Sequence, residues 1–382
     1  MHFFVSSFSL LQKLCVLHKI INPRNNSEYF IFEIFGEKLI IMISDSENNI
    51  ITTEIQVCVK KNSKEKIAIH PKLMIDLLNT FPEEPILIKK EKNILNIYSK
   101  QGNYPIPSIS NEMINSINSD PNTLLIVKKT SKIILYSKIL LKILKKTLFA
   151  TGNEYLTPIM NGVFFHFSPH GSTFVATDTY KLVKYTINHI RFNYSIKFTI
   201  HKKSLKILQN ILNEENEKSI VTIEYNKIDI IKFHFKNKIF LCKFIDEKYP
   251  DFNSVIPKNK DILFIVNRLL FLNSIKRISI FSKKKISLIR FHLKNNKLKI
   301  YEEDPIIPSY SKIQCKSIYE EFKGGYIKMA FNSQFLIETL SSFNEDFISF
   351  EFCNSNKSGI MRPYSNTKKE ESILILIMSV II

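Results

Sequence analysis

The sequence predicts an α+β protein in which one fold unit occurs three times. Segments 9–14, 138–144 and 267–272 share a Leu-Leu helical pattern and recur at a spacing of about 130 residues. Segments 71–78, 203–208 and 333–340 keep the same spacing, and each is followed by a polar break and a β-rich run. Each repeat therefore combines two helices with two groups of strands, which is typical of antiparallel sheets packed on helices.

Local signals support the individual elements in chain order. The apolar N-terminal segment 1–5 lacks a basic region and a small-residue cleavage site, so it predicts a first strand and not a signal peptide. Ser137 and Asn332 precede predicted helices and are residue types that accept hydrogen bonds from first-turn amides. Alternating apolar and polar residues predict strands at 220–225 and 347–352. The hydrophobic tail 373–382 is shorter than the ~20 residues that cross a bilayer, so it predicts a buried terminal strand.

Polar turn clusters at 118–122 and 257–261 suggest where the repeats meet. They predict three domains with the boundaries 1–120, 124–257 and 259–382. A chain of 382 residues is long enough for two to four domains that each bury a core.

The chain is strongly basic, with 54 Lys and Arg against 35 Asp and Glu and a formal net charge of +19. This excess favours a polyanionic partner such as nucleic acid. The abundance of Lys, Ile and Asn, which have AT-rich codons, explains the charge equally well as mutational bias of a reduced genome. The charge therefore supports a DNA-binding function but does not establish it.

Basic residues concentrate on the predicted helices. One helix carries Lys138, Lys142 and Lys145, a second begins with Lys202, Lys203 and Lys206, and a third ends with Lys276 and Arg277. On one helix, such residues are usually the solvated face. Their recurrence in equivalent helices predicts a continuous surface that binds backbone phosphates without reading bases.

The sequence carries little that indicates catalysis. It shows no glycine-rich phosphate loop, no metal-ligating His pair and no nucleophile elbow, so we expect no enzyme, no cofactor and no metal. Five dispersed cysteines suggest no disulfide framework and favour the reducing cytoplasm. Asp178 is the one acidic residue that invites a catalytic role, and we interpret it instead as closing a turn through backbone hydrogen bonds.

Two segments resemble a known family. Residues 174–182 contain Ala-Thr-Asp followed by Lys-Leu, and residues 244–257 contain Asp-Glu-Lys-Tyr-Pro-Asp-Phe. Together with the three repeats and the hydrophobic C-terminus, they resemble the bacterial DNA polymerase III beta subunit, the replicative sliding clamp. The resemblance covers the whole chain.

The resemblance implies the DNA clamp fold, with three clamp domains per subunit that form half of a six-domain ring. Two subunits would join head to tail around double-stranded DNA, with helices lining the hole. An ATP-dependent clamp loader would open this non-catalytic ring, which would tether the replicative polymerase. The DNA polymerase III alpha subunit and the loader would bind it through short Leu/Phe-containing peptides, and no membrane would be involved.

The resemblance also assigns roles to residues of this sequence. It adds Arg24 to the predicted DNA-binding residues Lys138, Lys142, Lys145, Lys202, Lys203, Lys206, Lys276 and Arg277. The implied peptide pocket consists of Met160, Thr177, Thr179, Tyr180, Lys181, Leu182, Pro250, Val255, Ser358, Leu376, Met378 and Val380. The implied dimer contact involves Tyr104, Ile106, Ile280, Phe281, Glu302 and Glu303.

Some positions depart from the family pattern. Thr179 and Tyr180 stand where Gly and His are common, and Ser379 replaces the usual Pro, so we expect a reshaped pocket with a narrower set of peptides. Two other functions remain open from the residues alone. One is a nuclease or polymerase with unrecognised catalytic carboxylates, and the other is a basic structural protein whose repeats serve only rigidity.

Overall fold

The computed structural model describes residues 1–21, 29–47, 49–61, 66–109, 131–153, 157–225, 230–258, 262–280, 287–294, 296–302, 309–317, 325–353, 358–364 and 370–380. Within these ranges the chain forms six α-helices and 25 β-strands, and every pair of hydrogen-bonded strands whose register is defined is antiparallel. The fold is therefore α+β, as the sequence predicts.

The elements follow one order three times along the chain: a strand, a helix, a group of strands, a second helix and a further group of strands. The first repeat consists of β1 (His2–Ser6), α1 (Ser7–Ile21), β2 (Phe30–Phe35), β3 (Lys38–Ser44), β4 (Ile50–Gln56), β5 (Cys58–Lys61), β6 (Lys66–Ile69), α2 (Pro71–Leu78), β7 (Pro85–Glu91), β8 (Ile94–Ser99) and β9 (Gly102–Ile109).

The second repeat consists of β10 (Ser131–Tyr136), α3 (Ser137–Thr147), β11 (Gly162–Phe167), β12 (Ser172–Thr177), β13 (Lys181–Ile187), β14 (Ile196–His201), α4 (Lys202–Glu214), β15 (Ile220–Tyr225), β16 (Ile230–His234) and β17 (Lys238–Ile245). The third repeat consists of β18 (Ile262–Asn267), α5 (Arg268–Ile280), β19 (Leu288–Lys294), β20 (Lys297–Glu302), β21 (Ser309–Ser317), β22 (Gly325–Asn332), α6 (Ser333–Ser342), β23 (Phe347–Cys353), β24 (Ser358–Pro363) and β25 (Glu371–Met378).

The structure divides into two compact units. The first contains residues 1–141 and 203–244, and the second contains residues 142–202 and 245–382. Each unit takes strands from two repeats, so the three-domain boundaries at 1–120, 124–257 and 259–382 stay a prediction.

In the first unit, strands of the first and second repeats share one sheet. Strand β17 pairs with β4 over Lys238–Leu241, and the sheet continues through β16, β15 and β10 on one side and β3, β2 and β6 on the other. Helix α1 buries one face through Leu10, Leu14 and Leu17. A second set of strands joins β5, β1, β7, β8 and β9.

In the second unit, the C-terminal strand joins strands of the second and third repeats. Strand β25 pairs with β13 on one side and with β24 on the other, and Ile375 and Ile377 are fully buried. Residues 373–378 of the tail thus form a largely buried strand, as predicted, whereas Val380 is 40% exposed and residues 381–382 lie outside the described residues. Phenylalanines dominate the core of this unit, and the rings of Phe350 and Phe352 lie 4.3 Å apart between centroids.

The helix start signals behave differently from each other. The Asn332 side chain accepts a hydrogen bond from the Gln334 amide at 2.8 Å, as expected for an N-cap. Ser137 is instead the first helical residue, and its hydroxyl donates to the Asn216 carbonyl at 2.6 Å. Ser137 is buried, and its hydroxyl is used in this bond to a carbonyl 79 positions away in the sequence. The predicted capping role of Ser137 is therefore not observed.

No helix within the described ranges is long and apolar enough to cross a membrane.

Candidate functional site

The turn between β12 and β13 is built around Asp178. One carboxylate oxygen, Oδ1, accepts hydrogen bonds from the amides of Tyr180 at 3.0 Å and Lys181 at 2.8 Å. The Thr177 hydroxyl accepts a further bond from the Thr179 amide at 3.2 Å. This geometry confirms the interpretation of Asp178 as a turn-closing residue. The backbone of Thr179 is strained there, because its φ of 75° lies in the left-handed region.

Lys181 is held from several sides directly beside this turn. Its side chain is 6% exposed, with Nζ 3.5 Å from Asp178 Oδ2 and 2.5 Å from Glu338 Oε2. The ammonium also lies 4.7 Å from the Phe335 ring centroid. Burial raises the pKa of Asp178, although the Lys181 and Tyr180 amides and the Lys181 charge act in the opposite direction. The charge of Lys181 is therefore already matched by carboxylates of the protein.

Strand β25 brings the C-terminus against this turn. Leu182 pairs with Leu376 across the β13–β25 ladder, and the Met378 amide donates to the Tyr180 carbonyl at 2.8 Å. Ser358 in β24 pairs with Met378 on the other side. Residues separated by almost 200 positions in the sequence thus lie next to each other at this turn.

A mostly apolar cavity of about 440 Å³ opens at this place. Nine of the twelve residues predicted for a peptide pocket line it: Met160, Thr177, Thr179, Lys181, Leu182, Pro250, Val255, Leu376 and Met378. The other three lie outside its lining. Tyr180 is 60% exposed and stacks on Phe335, Ser358 is buried, and the Val380 amide donates to the Ala330 carbonyl at 2.8 Å.

Three further residues line the cavity and were not among the predicted set: Tyr249, Asp251 and Phe252. The rings of Phe164 and Tyr249 stack at 4.8 Å with an interplanar angle of 18°, and Phe252 lies 6.2 Å from Phe164. These aromatic rings form one side of the apolar cluster that surrounds the cavity. The sequence contained a signal for them, because all three lie in the segment 244–257 that carries the family resemblance.

Several predicted DNA-binding lysines form ion pairs. Lys138 Nζ lies 2.7 Å from Glu217, Lys142 Nζ lies 2.5 Å from Glu371, and Lys203 Nζ lies 2.6 Å from Glu47. Lys202 is half-buried, and its Nζ lies 3.5 Å from the carbonyl oxygens of Thr151 and Gly152.

The other predicted DNA-binding residues are less constrained. Lys145, Lys206, Lys276 and Arg277 are exposed on their helices, and Arg277 donates from Nε to the Asn273 carbonyl at 3.1 Å. Arg24 lies outside the described residues. The DNA-binding role of the whole set stays a prediction.

The predicted dimer residues differ in exposure. Tyr104 is half-buried and meets Phe81 edge to face at 5.3 Å, whereas Ile106 is 2% exposed. Ile280 is 76% exposed and Glu302 is buried, while Phe281 and Glu303 lie outside the described residues. Strand β9 pairs with β8 along its length, and on its other side only Ser108 and Ile109 are paired in the described structure.

Comparison with known families identifies two consecutive domains. Residues 134–251 match the model of the central domain of the DNA polymerase III beta subunit, and residues 253–377 match the model of its C-terminal domain. Together the two matches cover well over half of the chain.

Curated relatives carry the same name. The chain is 24% identical over 321 residues to the beta sliding clamp of Halalkalibacterium halodurans, covering 82% of this chain and 80% of the relative. It is 20% identical over 375 residues to the beta sliding clamp of Pseudomonas aeruginosa, covering 96% of this chain and 97% of the relative.

Solved structures show the same fold. The DNA polymerase III beta subunit from Pseudomonas aeruginosa superposes with a TM-score of 0.85 at 19% identity, covering all of both chains. The sliding clamp of the same organism bound to griselimycin superposes with a TM-score of 0.83 at 20% identity, again over both full chains. Together with the matches to its central and C-terminal domain models, these similarities show that the chain belongs to the beta sliding clamp family, the beta subunits of DNA polymerase III.

Proposed function

We propose that this protein is a non-catalytic processivity clamp that encircles duplex DNA and tethers a DNA polymerase to it. Family membership carries this proposal, because the curated relatives are named beta sliding clamps. Two copies would join head to tail into a ring of six domains, and an ATP-dependent clamp loader would place the ring on DNA.

The basic helices support contact with DNA. Lys145 and Lys206 are exposed, and the ion pairs of Lys138 and Lys203 lie at the surface, where such pairs contribute little stability. A phosphate group can therefore replace the carboxylate partner at low cost. Contacts of this kind hold the backbone without reading bases, so the ring remains able to slide.

The cavity beside β25 supports the binding of a peptide. Its apolar lining with a few polar groups suits a short segment that inserts Leu and Phe side chains. We propose that the polymerase alpha subunit and the clamp loader bind there through such segments. Because Tyr180 and Ser379 both lie outside the lining, the expected narrower specificity rests on Thr179.

The open edge of β9 supports ring closure through its carbonyls. Carbonyls of an edge strand can accept hydrogen bonds from a strand of another chain, whereas Pro105 and Pro107 on this edge have no amide to donate. A head-to-tail contact through such edges closes into a ring when the rotation between copies permits it.

The alternative of a nuclease or polymerase gains no support. The Asp178 carboxylate closes a backbone turn and faces the buried Lys181 ammonium, so it is not available as a metal ligand. Within the described ranges, no group of three or more His, Cys, Asp or Glu side chains is arranged to hold a metal ion.

Val255→Ala tests the peptide pocket. Val255 lines the cavity and is 50% exposed, so truncation removes contact area for a ligand without opening the core. We expect about three- to tenfold weaker binding of a fluorescent peptide with adjacent Leu and Phe residues, as for the loss of one or two buried methyl groups.

Val380→Ala is the matched control, because Val380 is 40% exposed and lies outside the cavity lining. We expect its peptide affinity to stay within about twofold of the parent protein, as for a surface substitution away from the site. An equal loss of peptide affinity in both variants, or no peptide binding by the parent protein, would show that the cavity is not the peptide-binding site.

A further inference from the structure

A tyrosine in the wall of the peptide cavity carries a buried hydroxyl group that has no partner in the described structure. Tyr249 lines the cavity and is only 8% exposed. Its Oη is buried, and no group in the described part of the chain forms a hydrogen bond with it. Buried hydroxyls without a partner are rare in folded proteins, because their loss of hydrogen bonds to water is not repaid.

The neighbours of the ring explain why the hydroxyl finds no partner inside the protein. The ring stacks on Phe164 and meets Phe252 at 6.5 Å with an interplanar angle of 63°. Leu182 and Leu376 belong to the same apolar cluster. These side chains fix the ring and offer no hydrogen-bond acceptor.

A second buried tyrosine of the same unit shows the contrasting case. The Tyr185 hydroxyl donates to Glu371 Oε2 at 2.7 Å. Tyr185 does not line the cavity, and its phenol is satisfied by the protein itself. Burial also raises the pKa of Tyr249, so its hydroxyl is protonated and remains a donor at neutral pH.

We propose that a peptide that binds in the cavity opens the apolar cluster around Tyr249 and accepts a hydrogen bond from its Oη, which is closed to solvent in the unliganded structure. The accepting oxygen would be a backbone carbonyl or a side-chain amide or carboxylate oxygen next to the apolar anchors. Tyr249 would then determine specificity, because a site that offers a buried donor discriminates against ligands without an acceptor. This inference rests on the proposed function of the cavity as a peptide pocket.

Tyr249→Phe removes the hydroxyl and keeps the ring. Loss of one hydrogen bond to the ligand predicts about fivefold weaker binding of the fluorescent Leu-Phe peptide, measured by anisotropy titration. The unliganded variant should melt at the same temperature as the parent protein or higher, since an unpaired buried group has been removed. Tyr194→Phe is the matched control, because Tyr194 is 48% exposed and lies outside both the cavity lining and the predicted pocket, so the peptide affinity of this variant should not change.

A second set of peptides locates the acceptor. Each backbone amide near the Leu-Phe pair is replaced in turn by an ester, whose carbonyl accepts hydrogen bonds more weakly, and side-chain oxygens are removed in parallel. One replacement should weaken binding to the parent protein and have no further effect in Tyr249→Phe.

The outcomes separate the two proposals. If the parent protein binds the peptide and Tyr249→Phe binds it equally well or more tightly, the hydrogen bond is refuted while the pocket stands. A clear loss of stability in unliganded Tyr249→Phe would also refute it, since the hydroxyl would then have a partner within the protein. Absence of peptide binding by the parent protein would instead refute the pocket.

Discussion

At the scale of single residues, the β12–β13 turn shows how a strained position is maintained. Thr179 adopts a φ of 75° although a β-branched side chain is disfavoured there. The neighbouring hydrogen bonds to Thr177 and Asp178 hold the turn closed in spite of this strain. Glycine, which has no Cβ atom, would adopt this conformation freely.

Thr179→Gly should therefore stabilise the protein. Relief of the left-handed strain gains about 1–2 kcal/mol, and the greater chain freedom of unfolded glycine offsets about half of it. We expect a net increase of about 0.5–1 kcal/mol in the free energy of unfolding, measured by urea denaturation.

Thr179→Ala is the matched control for that change. Alanine loses the branched side chain but keeps a Cβ atom, so its gain should be smaller than that of glycine. A glycine variant that is less stable than the parent protein would show that the turn does not store this strain.

Lys181 shows why part of the site escapes sequence analysis. Its main partner, Glu338, is 157 positions away in the sequence, in helix α6. No local pattern relates a strand residue to a helix of the next repeat. The family resemblance places Lys181 in the pocket, but only the structure shows that its charge is neutralised there.

At the scale of elements, one carboxylate ties three of them together. Glu371 at the start of β25 accepts hydrogen bonds from Lys142 of α3 at 2.5 Å and from Tyr185 of β13 at 2.7 Å. Burial alone would raise its pKa, but the bonds from Lys142 and Tyr185 outweigh burial and hold the pKa below its usual value. Lys142 thus serves as an anchor for the terminal strand.

Glu371→Gln should destabilise the protein in a pH-dependent way. A carboxylate with a lowered folded-state pKa adds stability above its unfolded-state pKa of about 4.3, and that stability is lost as the pH falls through the folded-state value. We expect a loss of about 1–2 kcal/mol at pH 7, typical of hydrogen bonds to a partly exposed charged group. In urea titrations, the difference from the parent protein should shrink below about pH 4.3.

Glu370→Gln provides the control for this network. The Glu370 side chain is 81% exposed, and its Oε2 lies 3.4 Å from Nδ1 of the His189 ring. We expect a change within about 0.5 kcal/mol, as for other surface substitutions. A difference between Glu371→Gln and the parent protein that stayed constant down to pH 3 would contradict the role of the Glu371 charge.

Helix α4 offers a test of the DNA surface. Lys206 is exposed on this helix, whereas Lys203 pairs with Glu47 at 2.6 Å. If both face DNA, Lys206→Ala should flatten the slope of log affinity against log salt by about one unit. Lys203→Ala should flatten it less, because its ammonium exchanges one anionic partner for another.

Duplex DNA binding measured by anisotropy over a range of salt concentrations gives both slopes. An unchanged slope in Lys206→Ala would show that this side chain does not contact phosphate. Lys218→Ala, an exposed lysine in the turn after α4, provides a comparison outside the predicted set.

At the scale of the whole molecule, the repeat was the most predictable property. The Leu-Leu helices recur, and the observed order of elements repeats three times as the 130-residue spacing indicates. Strands such as β15 begin and end where the alternation predicts, because alternation directly records which face is buried.

Contacts between repeats were less predictable. The β17–β4 and β13–β25 pairings join strands of different repeats, and nothing in the local sequence specifies the partner of an edge strand. Similarly, Tyr249 and Phe252 belong to a recognised motif in the loop after β17, but their packing around the cavity depends on Phe164 of strand β11. The residues of the pocket could thus be named in large part, whereas its aromatic wall and its unpaired hydroxyl could not.

The proposed function requires that the protein hold DNA by encircling it. The most direct measurement loads the protein onto nicked circular plasmid with a clamp loader and ATP, and then follows its retention by gel filtration before and after the plasmid is cut once. A ring should stay on the circle at salt concentrations that abolish ionic binding and should run off the linear DNA. Equal retention on circular and linear DNA would show that the protein does not encircle DNA.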